Sequence, residues 1–189
     1  MPNWCNNTVT LEHTDPAMIK RARTAFAAGT FLQEFIPCPQ DLIDTVSGYV
    51  PEQEALEAKQ TANRERYGYS TWYEHNLAKW GTKWDVGGGD GSLQDIEGGV
   101  IITFDSAWAP PIAAYDQLTE LGFKILAMYY EPGMAFAGVW EDGNDDYYEY
   151  GGMSADQIEA ELPPELDEAF GISQAVSEWE QENKETEDE

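Results

Sequence analysis

The acidic residues of this chain are crowded into its second half, and any fold must hold these mutually repelling side chains at the surface. The 189 residues include 36 Asp and Glu against 10 Lys and Arg, which gives a formal net charge of −26. Residues 1–84 carry 10 acidic and 8 basic side chains, whereas residues 85–189 carry 26 acidic side chains and two lysines, Lys124 and Lys184. A field of this sign repels nucleic acids, anionic lipids and acidic substrates, and it attracts basic surfaces.

The composition favours a folded, cytoplasmic protein. Hydrophobic residues make up 42% of the chain and aromatic residues 13%, which is enough to bury a core. The segment Met1–Thr10 has neither the basic nor the apolar region of a secretory signal, and no apolar run approaches the roughly 20 residues that span a bilayer. Cys5 and Cys38 are too few for a disulfide framework, so we expect both to be buried as small apolar side chains.

The hydrophobic periodicity predicts an α+β fold. The strongest strand pattern is GVIITFDSA at Gly99–Ala107. Amphipathic helices are predicted from Asp15-Pro16 to Gly29 and from about residue 112 to Gly122, each with a proline at its start and a glycine at its end. The other predicted strands cover residues 7–12, 123–130, 134–140 and 146–150. Strands separated by helices and followed by a meander indicate a ferredoxin-like, mostly antiparallel sheet with helices on one face.

The same patterns divide the chain into three parts. Residues 1–150 are predicted to form the ferredoxin-like domain, with a helical insertion at about 52–81. Residues 151–181 form an acidic helical extension that begins at a capping box of Ser154 and Gln157, and residues 182–189 form a disordered acidic tail. The apolar segment 31–39 and the glycine-rich segment 87–92 are predicted to be loops.

Four sequence motifs occur together in one order along the chain. They are Met1–Asn7 (MPNWCNN), Trp80–Asp85 (WGTKWD), Phe104 with Ala107–Pro111 (AWAPP), and Tyr129–Gly133 (YYEPG) followed by Phe136–Gly138 (FAG). In this order they resemble the YubB-type ferredoxin-like family of phages and conjugative plasmids, over roughly residues 1–150. The resemblance implies a ferredoxin-like fold without an iron–sulfur cluster, and an origin on a mobile element, where small accessory proteins often disarm host defences. It supplies no catalytic residues.

Two of these motifs admit a structural and a functional interpretation. Trp80 and Trp84 flank a glycine turn, which either pins a helix end to the sheet or forms an aromatic ligand cleft with Lys83 as its one cation. The AWAPP motif is more typical of a rigid turn between a strand and a helix than of a proline-recognition surface.

No motif predicts catalysis, a metal or a cofactor. His13, His75 and the two cysteines lack the paired spacing of a zinc site. The segment from Asp142 starts like an EF-hand loop, but Tyr147 and Met153 stand where that loop needs a glycine and a glutamate. Carboxylate pairs are too frequent to identify an active site. We therefore expect no enzymatic activity, and the missing basic aromatic signature disfavours direct nucleic-acid binding.

Acidic residues interleaved with tyrosine and tryptophan are typical of a protein-binding surface. Strand alternation must turn about half of those aromatic side chains into the core. The predicted partner-binding residues are Glu131, Trp140, Glu141, Asp142, Asp145, Asp146, Glu149, Asp156, Glu159, Glu161, Glu165, Asp167 and Glu168.

The sequence therefore leads to the hypothesis of a phage- or plasmid-encoded inhibitor in the cytoplasm of the host cell. It would act as an acidic nucleic-acid mimic in the basic DNA- or RNA-binding groove of a host defence complex, either a CRISPR effector or a restriction enzyme, and so serve as an anti-CRISPR or antirestriction protein. The alternative is a non-catalytic docking module that binds a protein through Trp80, Trp84 and the tyrosine-rich hairpin.

Overall fold

The computed structural model describes residues 2–45 and 53–187, and it confirms the α+β, ferredoxin-like class. In chain order the elements are β1 (Trp4–Glu12), α1 (Pro16–Ala27), α2 (Phe31–Phe35), α3 (Gln40–Ile43), α4 (Gln53–Tyr67), α5 (Trp72–Lys79), β2 (Ser92–Ile96), β3 (Gly99–Ala107), α6 (Ile112–Glu120), β4 (Lys124–Glu131), β5 (Phe136–Glu141), β6 (Asn144–Glu149), α7 (Ala155–Glu161), α8 (Pro164–Phe170) and α9 (Ile172–Glu187). A single 3₁₀ turn lies at Gly88–Asp90.

The described strands form one six-stranded antiparallel sheet in the order β2-β3-β1-β4-β5-β6. The series β1, α1, β2, β3, α6, β4 reproduces the split βαβ arrangement, with β1 and β3 at the centre of the four strands. The hairpin of β5 and β6 continues the sheet beyond β4. Because β1 contacts both β3 and β4 along most of its length, this strand organises the whole sheet.

One face of the sheet, here called the α1/α6 face, carries the larger core. Alternation along β1 turns Val9 and Leu11 to this face, and they are fully buried. They pack with side chains of the neighbouring strands and of two helices, namely Ile102, Phe104, Ile125, Ala127, Trp140, Ala22, Phe26, Tyr115 and Leu118. The sequence prediction of helices on one face applies to α1 and α6.

The opposite face, here called the C-terminal face, is covered over β4, β5 and β6 by α7, α8 and α9. The apolar sides of these helices bury Ile158, Leu162, Leu166 and Ile172. Against them lie strand residues that alternation turns away from the larger core, namely Met128, Tyr130, Ala137, Val139 and Tyr148. The acidic extension is therefore an integral layer of the fold, with its own small core.

Three segments differ from the sequence prediction. The expected loop at 31–39 contains α2, whose first turn is held by the Asp85 carboxylate, since this group accepts hydrogen bonds from the N–H groups of Leu32 and Gln33 (2.6 and 2.9 Å). The short edge strand β2 begins at Ser92, where only a loop was predicted. Helix α9 runs through Glu187, where disorder was expected; residues 188 and 189 and the first position of the insertion at about 52 lie outside the described residues.

The two cysteines are buried at 0% and 3% exposure, and burial raises the pKa of the Cys5 thiol to about 12 and that of Cys38 to about 11. Because the thiolate is the nucleophile, we expect neither cysteine to react with Ellman's reagent at pH 8 until the protein is unfolded. An unfolded thiol ionises near its ordinary pKa, whereas the folded one keeps its proton, so this contribution to stability falls as pH rises from about 9 towards 12. Rapid labelling of the native protein would contradict this prediction.

Gly138 lies under the ring of Tyr129, and a Cβ at this position would collide with that ring and lie 2.8 Å from the Asp146 carbonyl oxygen. We expect Gly138→Ala to lower the free energy of unfolding by about 1–3 kcal/mol, measured by urea denaturation, because the ring has to move. The matched control is Gly89→Ala, since a Cβ there meets no heavy atom within 4 Å. The control should stay within about 0.5 kcal/mol of the native protein, and equal effects of both changes would refute the packing argument.

Candidate functional site

Most of the acidic residues predicted to bind a partner are exposed on the β5–β6 hairpin and on the first two helices of the C-terminal layer. These exposed residues are here called the acidic surface: Glu141, Asp142, Asp145, Asp146, Glu149, Asp156, Glu159, Glu161, Glu165 and Glu168. No described element packs over them, so their carboxylates face solvent.

Local sequence explains why α7 exposes its acids. The predicted capping box is present: the Ser154 hydroxyl accepts a hydrogen bond from the Gln157 N–H, and the Gln157 side chain accepts one from the Ser154 N–H. This start fixes the helix so that Ile158 and Leu162, four residues apart, face the sheet. Asp156 and Glu159 then lie on the opposite side, one turn apart, near the favourable N-terminal end of the helix dipole.

The β5–β6 hairpin places acids on both faces of the sheet edge. Asp142 and Gly143 form its two-residue turn with φ values of 48° and 87°, as a type I′ turn requires. The resulting register turns Glu141 and Asp146 to the C-terminal face as diagonal neighbours, about 7–8 Å apart. Asp145 points to the other face, where it accepts a hydrogen bond from the Tyr129 hydroxyl at 2.8 Å. The acidic surface therefore continues around the β6 edge.

Two of the predicted partner-binding side chains are buried, and the expectation that they are exposed is wrong. Trp140 is 1% exposed and packs against Tyr115, with ring centroids 5.6 Å apart, because alternation on β5 turns it into the larger core. Glu131 is also 1% exposed, and its carboxylate accepts hydrogen bonds from the N–H groups of Gly133 and Met134 (2.9 and 2.6 Å). This glutamate closes the turn after β4.

A third predicted residue, Asp167, is half-buried and joins two helices. Its carboxylate accepts hydrogen bonds from the N–H and the hydroxyl of Ser173, at 2.7 and 2.5 Å. The bonds satisfy part of the first turn of α9, just after Gly171 ends α8 in the left-handed conformation (φ 63°). Asp167 therefore has a structural role in the layer that carries the acidic surface.

The charges of the two halves of the chain are balanced differently. Five ion pairs join described residues, and their acids are Glu12, Glu34, Asp41, Glu74 and Asp95. No acid from Glu131 to Glu180 forms an ion pair with the side chains that the structure describes, those of residues 2–45, 55–89 and 91–183. Arg21 and Arg23 of α1 pair with Glu34 and Asp95, so these two cations do not compensate the negative charge of the C-terminal layer.

The tyrosines of β6 and of the segments next to the β5–β6 hairpin are mostly buried or half-buried. Tyr129 and Tyr150 are buried, and Tyr148 is half-buried against the C-terminal helices. Tyr147 is 50% exposed, and its ring lies 5.3 Å from that of Phe136. Partial burial, followed by the negative charges of Glu149 and Asp145, raises the pKa of Tyr147. Among Tyr129, Tyr147, Tyr148 and Tyr150, Tyr147 is the one that is exposed.

A second candidate site is a cleft of about 370 Å³ beside the end of β3, here called the tryptophan cleft. Neither the charge pattern nor the hydrophobic periodicity of the sequence predicted this cleft. Its lining residues include Trp4, Trp84, Asp85, Gly91, Phe104 and Asp105. Trp80, in contrast, is buried and its indole N–H donates to the Ile36 carbonyl oxygen at 2.8 Å, so the structural interpretation of that residue is the one the contacts support. Lys83 lies over the Trp84 ring, with its Nζ 4.5 Å from the centroid.

Across the described parts of the chain, no three His, Cys, Asp or Glu side chains are grouped so that they could hold a metal ion. His75 is buried beside the Asn76 side chain, and burial lowers its pKa. Among the same residues, no helix combines the length and hydrophobicity needed to cross a bilayer.

Comparisons with known proteins identify no family for this chain. No protein-family model matches it, and no curated protein matches it. The crystal structure of the protein api92 from Yersinia pseudotuberculosis, assigned to the family model DUF1281, resembles it with a TM-score of 0.43 and 14% sequence identity, over 80% of this chain and 99% of that one. At this TM-score and identity, the likeness supports no statement about function.

The capping role of Asp167 is testable by substitution. We expect Asp167→Ala to lower the free energy of unfolding by about 1–2 kcal/mol in urea denaturation, because the N–H of Ser173 loses its acceptor. Glu168→Ala removes the same charge from an exposed neighbouring position and should change stability by less than about 0.5 kcal/mol. If both variants were equally stable, Asp167 would instead be free to serve as a contact residue.

Proposed function

We propose that this chain is a phage- or plasmid-encoded protein of the YubB-type family that inhibits a host defence complex by occupying a basic groove built for DNA or RNA. The groove belongs to a CRISPR effector or a restriction enzyme in the host cytoplasm. The inhibitor binds stoichiometrically and carries out no chemistry. The observation on which this proposal rests is the acidic surface, whose exposed carboxylates have no cationic partner among the described residues.

The spacing of the carboxylates supports mimicry of a phosphate backbone. Side chains on one face of a strand repeat about every 6.8 Å, and helix neighbours three or four residues apart lie about 6 Å from each other. Phosphates follow each strand of a duplex about every 3.4 Å along the axis, so these distances approximate every second phosphate. Asp156 and Glu159 on α7 are a helix pair of this kind. Glu141 and Asp146 on the hairpin are diagonal neighbours on adjacent strands, about 7–8 Å apart, which is close to the same spacing.

The burial of the apolar helix sides also supports a rigid binding surface. Helices α7 and α8 are fixed to the sheet by Ile158, Leu162 and Leu166, all with 4% exposure or less. Carboxylates on such a support do not need to be ordered when a partner binds, which lowers the entropic cost of association. A long-range negative field also accelerates the approach of a basic groove at low salt.

The proposal predicts that inhibition depends on the acidic surface and on salt. In DNA-cleavage assays with a guide-loaded CRISPR effector and with a restriction endonuclease, inhibition of the targeted complex should be complete at about one inhibitor per complex. Affinity should fall by at least about tenfold between about 50 and 300 mM salt, and excess duplex or guide–target hybrid should displace the inhibitor.

A matched pair of variants separates a specific surface from net charge. The variant Asp156→Asn, Glu159→Gln, Glu161→Gln, Glu165→Gln should lose at least about tenfold in affinity, because four contacts with basic groups are removed. The control Glu57→Gln, Glu65→Gln, Asp116→Asn, Glu120→Gln removes the same charge from exposed positions outside the acidic surface and should bind normally. Equal loss in both variants, or inhibition below one inhibitor per complex, would refute mimicry by this surface.

The second candidate function is a non-catalytic docking module. It is favoured by the exposure of Trp4 and Trp84, at 46% and 41%, on the rim of one cleft. A docking module would bind its partner almost independently of salt and would lose affinity on Trp84→Ala, whereas the proposed inhibitor would tolerate that change.

A further inference from the structure

The tryptophan cleft lies where the central sheet has an open edge. Strand β2 pairs with β3 only as far as Ser92, which lies opposite Thr103. The last part of β3, from Phe104 to Ala107, therefore pairs with β1 on one side and has no strand from the described part of the chain on the other. The segment from Trp84 to Gly91 passes this edge at a distance and leaves the cleft between itself and β3.

The direction of the backbone groups on this edge follows from two contacts. A Cβ at Gly91 would lie 3.1 Å from the Thr103 carbonyl oxygen, so that oxygen points away from β1. The N–H and the carbonyl oxygen of Ala107 both bond to the Thr82 hydroxyl at 3.1 Å, on the same outer side. Because outward groups alternate along a strand, the N–H and C=O of Asp105 also point outward, into the cleft.

Among the described residues of this edge, Asp105 is thus the position whose outward backbone N–H and C=O have no hydrogen-bond partner. Thr103 is paired with Ser92 of β2. The outward N–H and C=O of Ala107 are both hydrogen-bonded to the Thr82 hydroxyl, which takes the place of a neighbouring strand. Open backbone donors and acceptors on a sheet edge are a template for another extended chain. The donor and acceptor of a single residue match the acceptor and donor of one residue of an antiparallel strand.

The walls of the cleft are aromatic and held in place. The rings of Trp4 and Trp84 lie 5.9 Å apart and stay largely exposed. Behind Trp84, the Asp85 carboxylate accepts three backbone N–H groups, from Leu32, Gln33 and Val86, which fixes the loop to α2. Exposed indole rings beside an open strand edge offer an apolar contact for the side chain of a strand that pairs there.

The negative charge at the cleft favours extended segments that carry basic side chains. The exposed Asp105 carboxylate, which accepts a hydrogen bond from the Asn6 amide at 2.5 Å, retains lone pairs for a cation. Lys83 is the basic side chain nearby, and it lies over Trp84. With a net charge of −26 on the whole chain, basic segments are attracted and acidic ones repelled.

We propose that the tryptophan cleft binds an extended segment of a partner protein that carries an apolar and a basic side chain two residues apart, on one face of the added strand. One residue of the segment pairs with the N–H and C=O of Asp105, an apolar side chain packs on Trp4 and Trp84, and a basic side chain reaches the Asp105 carboxylate. This site shares no residue with the acidic surface, so the proposal does not depend on the proposed function as an inhibitor. It would still hold if that proposed function were refuted.

The test uses the full chain and a phage-displayed library of random heptapeptides. Peptides are selected on the native protein after depletion on Trp84→Ala. Selected peptides, synthesised with blocked ends, should combine basic and apolar residues, and each should shift the backbone amide of Asp105 in a two-dimensional ¹⁵N spectrum. Asp105→Pro removes the outward N–H but no backbone bond to β1, so it should weaken binding by at least about tenfold. Asp105→Ala also loses the side-chain bond to Asn6 but keeps the N–H, so it should weaken binding less.

A change in the peptide tests strand pairing without altering the protein. Methylation of the peptide nitrogen that faces Asp105 should weaken binding at least about tenfold, and methylation of a neighbouring nitrogen should not. Trp179→Ala, on an exposed tryptophan of α9 outside the cleft, should bind like the native protein. The proposal is overturned if no peptide is enriched, if the amide of Asp105 does not respond, or if methylation at every position has the same effect.

Discussion

The alternation of side chains along β4 and β5 is the constraint on which the rest of the fold depends. On β4, Ile125 and Ala127 enter the core under α1 and α6, while Met128 and Tyr130 enter the core under the C-terminal helices. A shift of register by one residue would exchange these two sets and disrupt both cores at once. The same strands therefore fix the position of α7, α8 and α9, and with it the direction in which their acidic sides point.

Two cores on opposite faces also explain how a chain of this charge can fold. Helices α7 and α8 each bury one apolar side and turn Asp156, Glu159, Glu161, Glu165 and Glu168 to water, where their repulsion is screened. The buried Glu131 and the half-buried Asp85 and Asp167 are a separate group with different partners. Glu131 and Asp85 accept backbone N–H groups that stabilise a turn and a short helix, and Asp167 accepts the N–H and the hydroxyl of Ser173 at the start of a helix. Acidity thus serves structure where it is buried and remains available for recognition where it is exposed.

The two proposed sites lie on different parts of the fold and differ in physical character. The acidic surface on α7, α8 and the β5–β6 hairpin depends on charge, acts at long range and is sensitive to salt. The tryptophan cleft beside β3 depends on backbone pairing and aromatic contact, which act only at short range. A partner that engages both would have to present a basic groove and an extended segment, and the separate variants of each site distinguish that case from two independent partners.

The sequence by itself determined what depends on local pattern and on composition. The strand Gly99–Ala107, the capping box at Ser154 and the excess of acid in the second half are all predicted from the residues. Only the tertiary structure decided what depends on distant partners. It buried Trp140 and Glu131, and it stabilised α2 through the carboxylate of Asp85, which lies 53 residues from Leu32. It also left the outward backbone groups of Asp105 on β3 without a strand partner among the described residues. Alternation predicts that a strand has two faces, but which face is covered, and by what, is fixed only when the sheet is assembled.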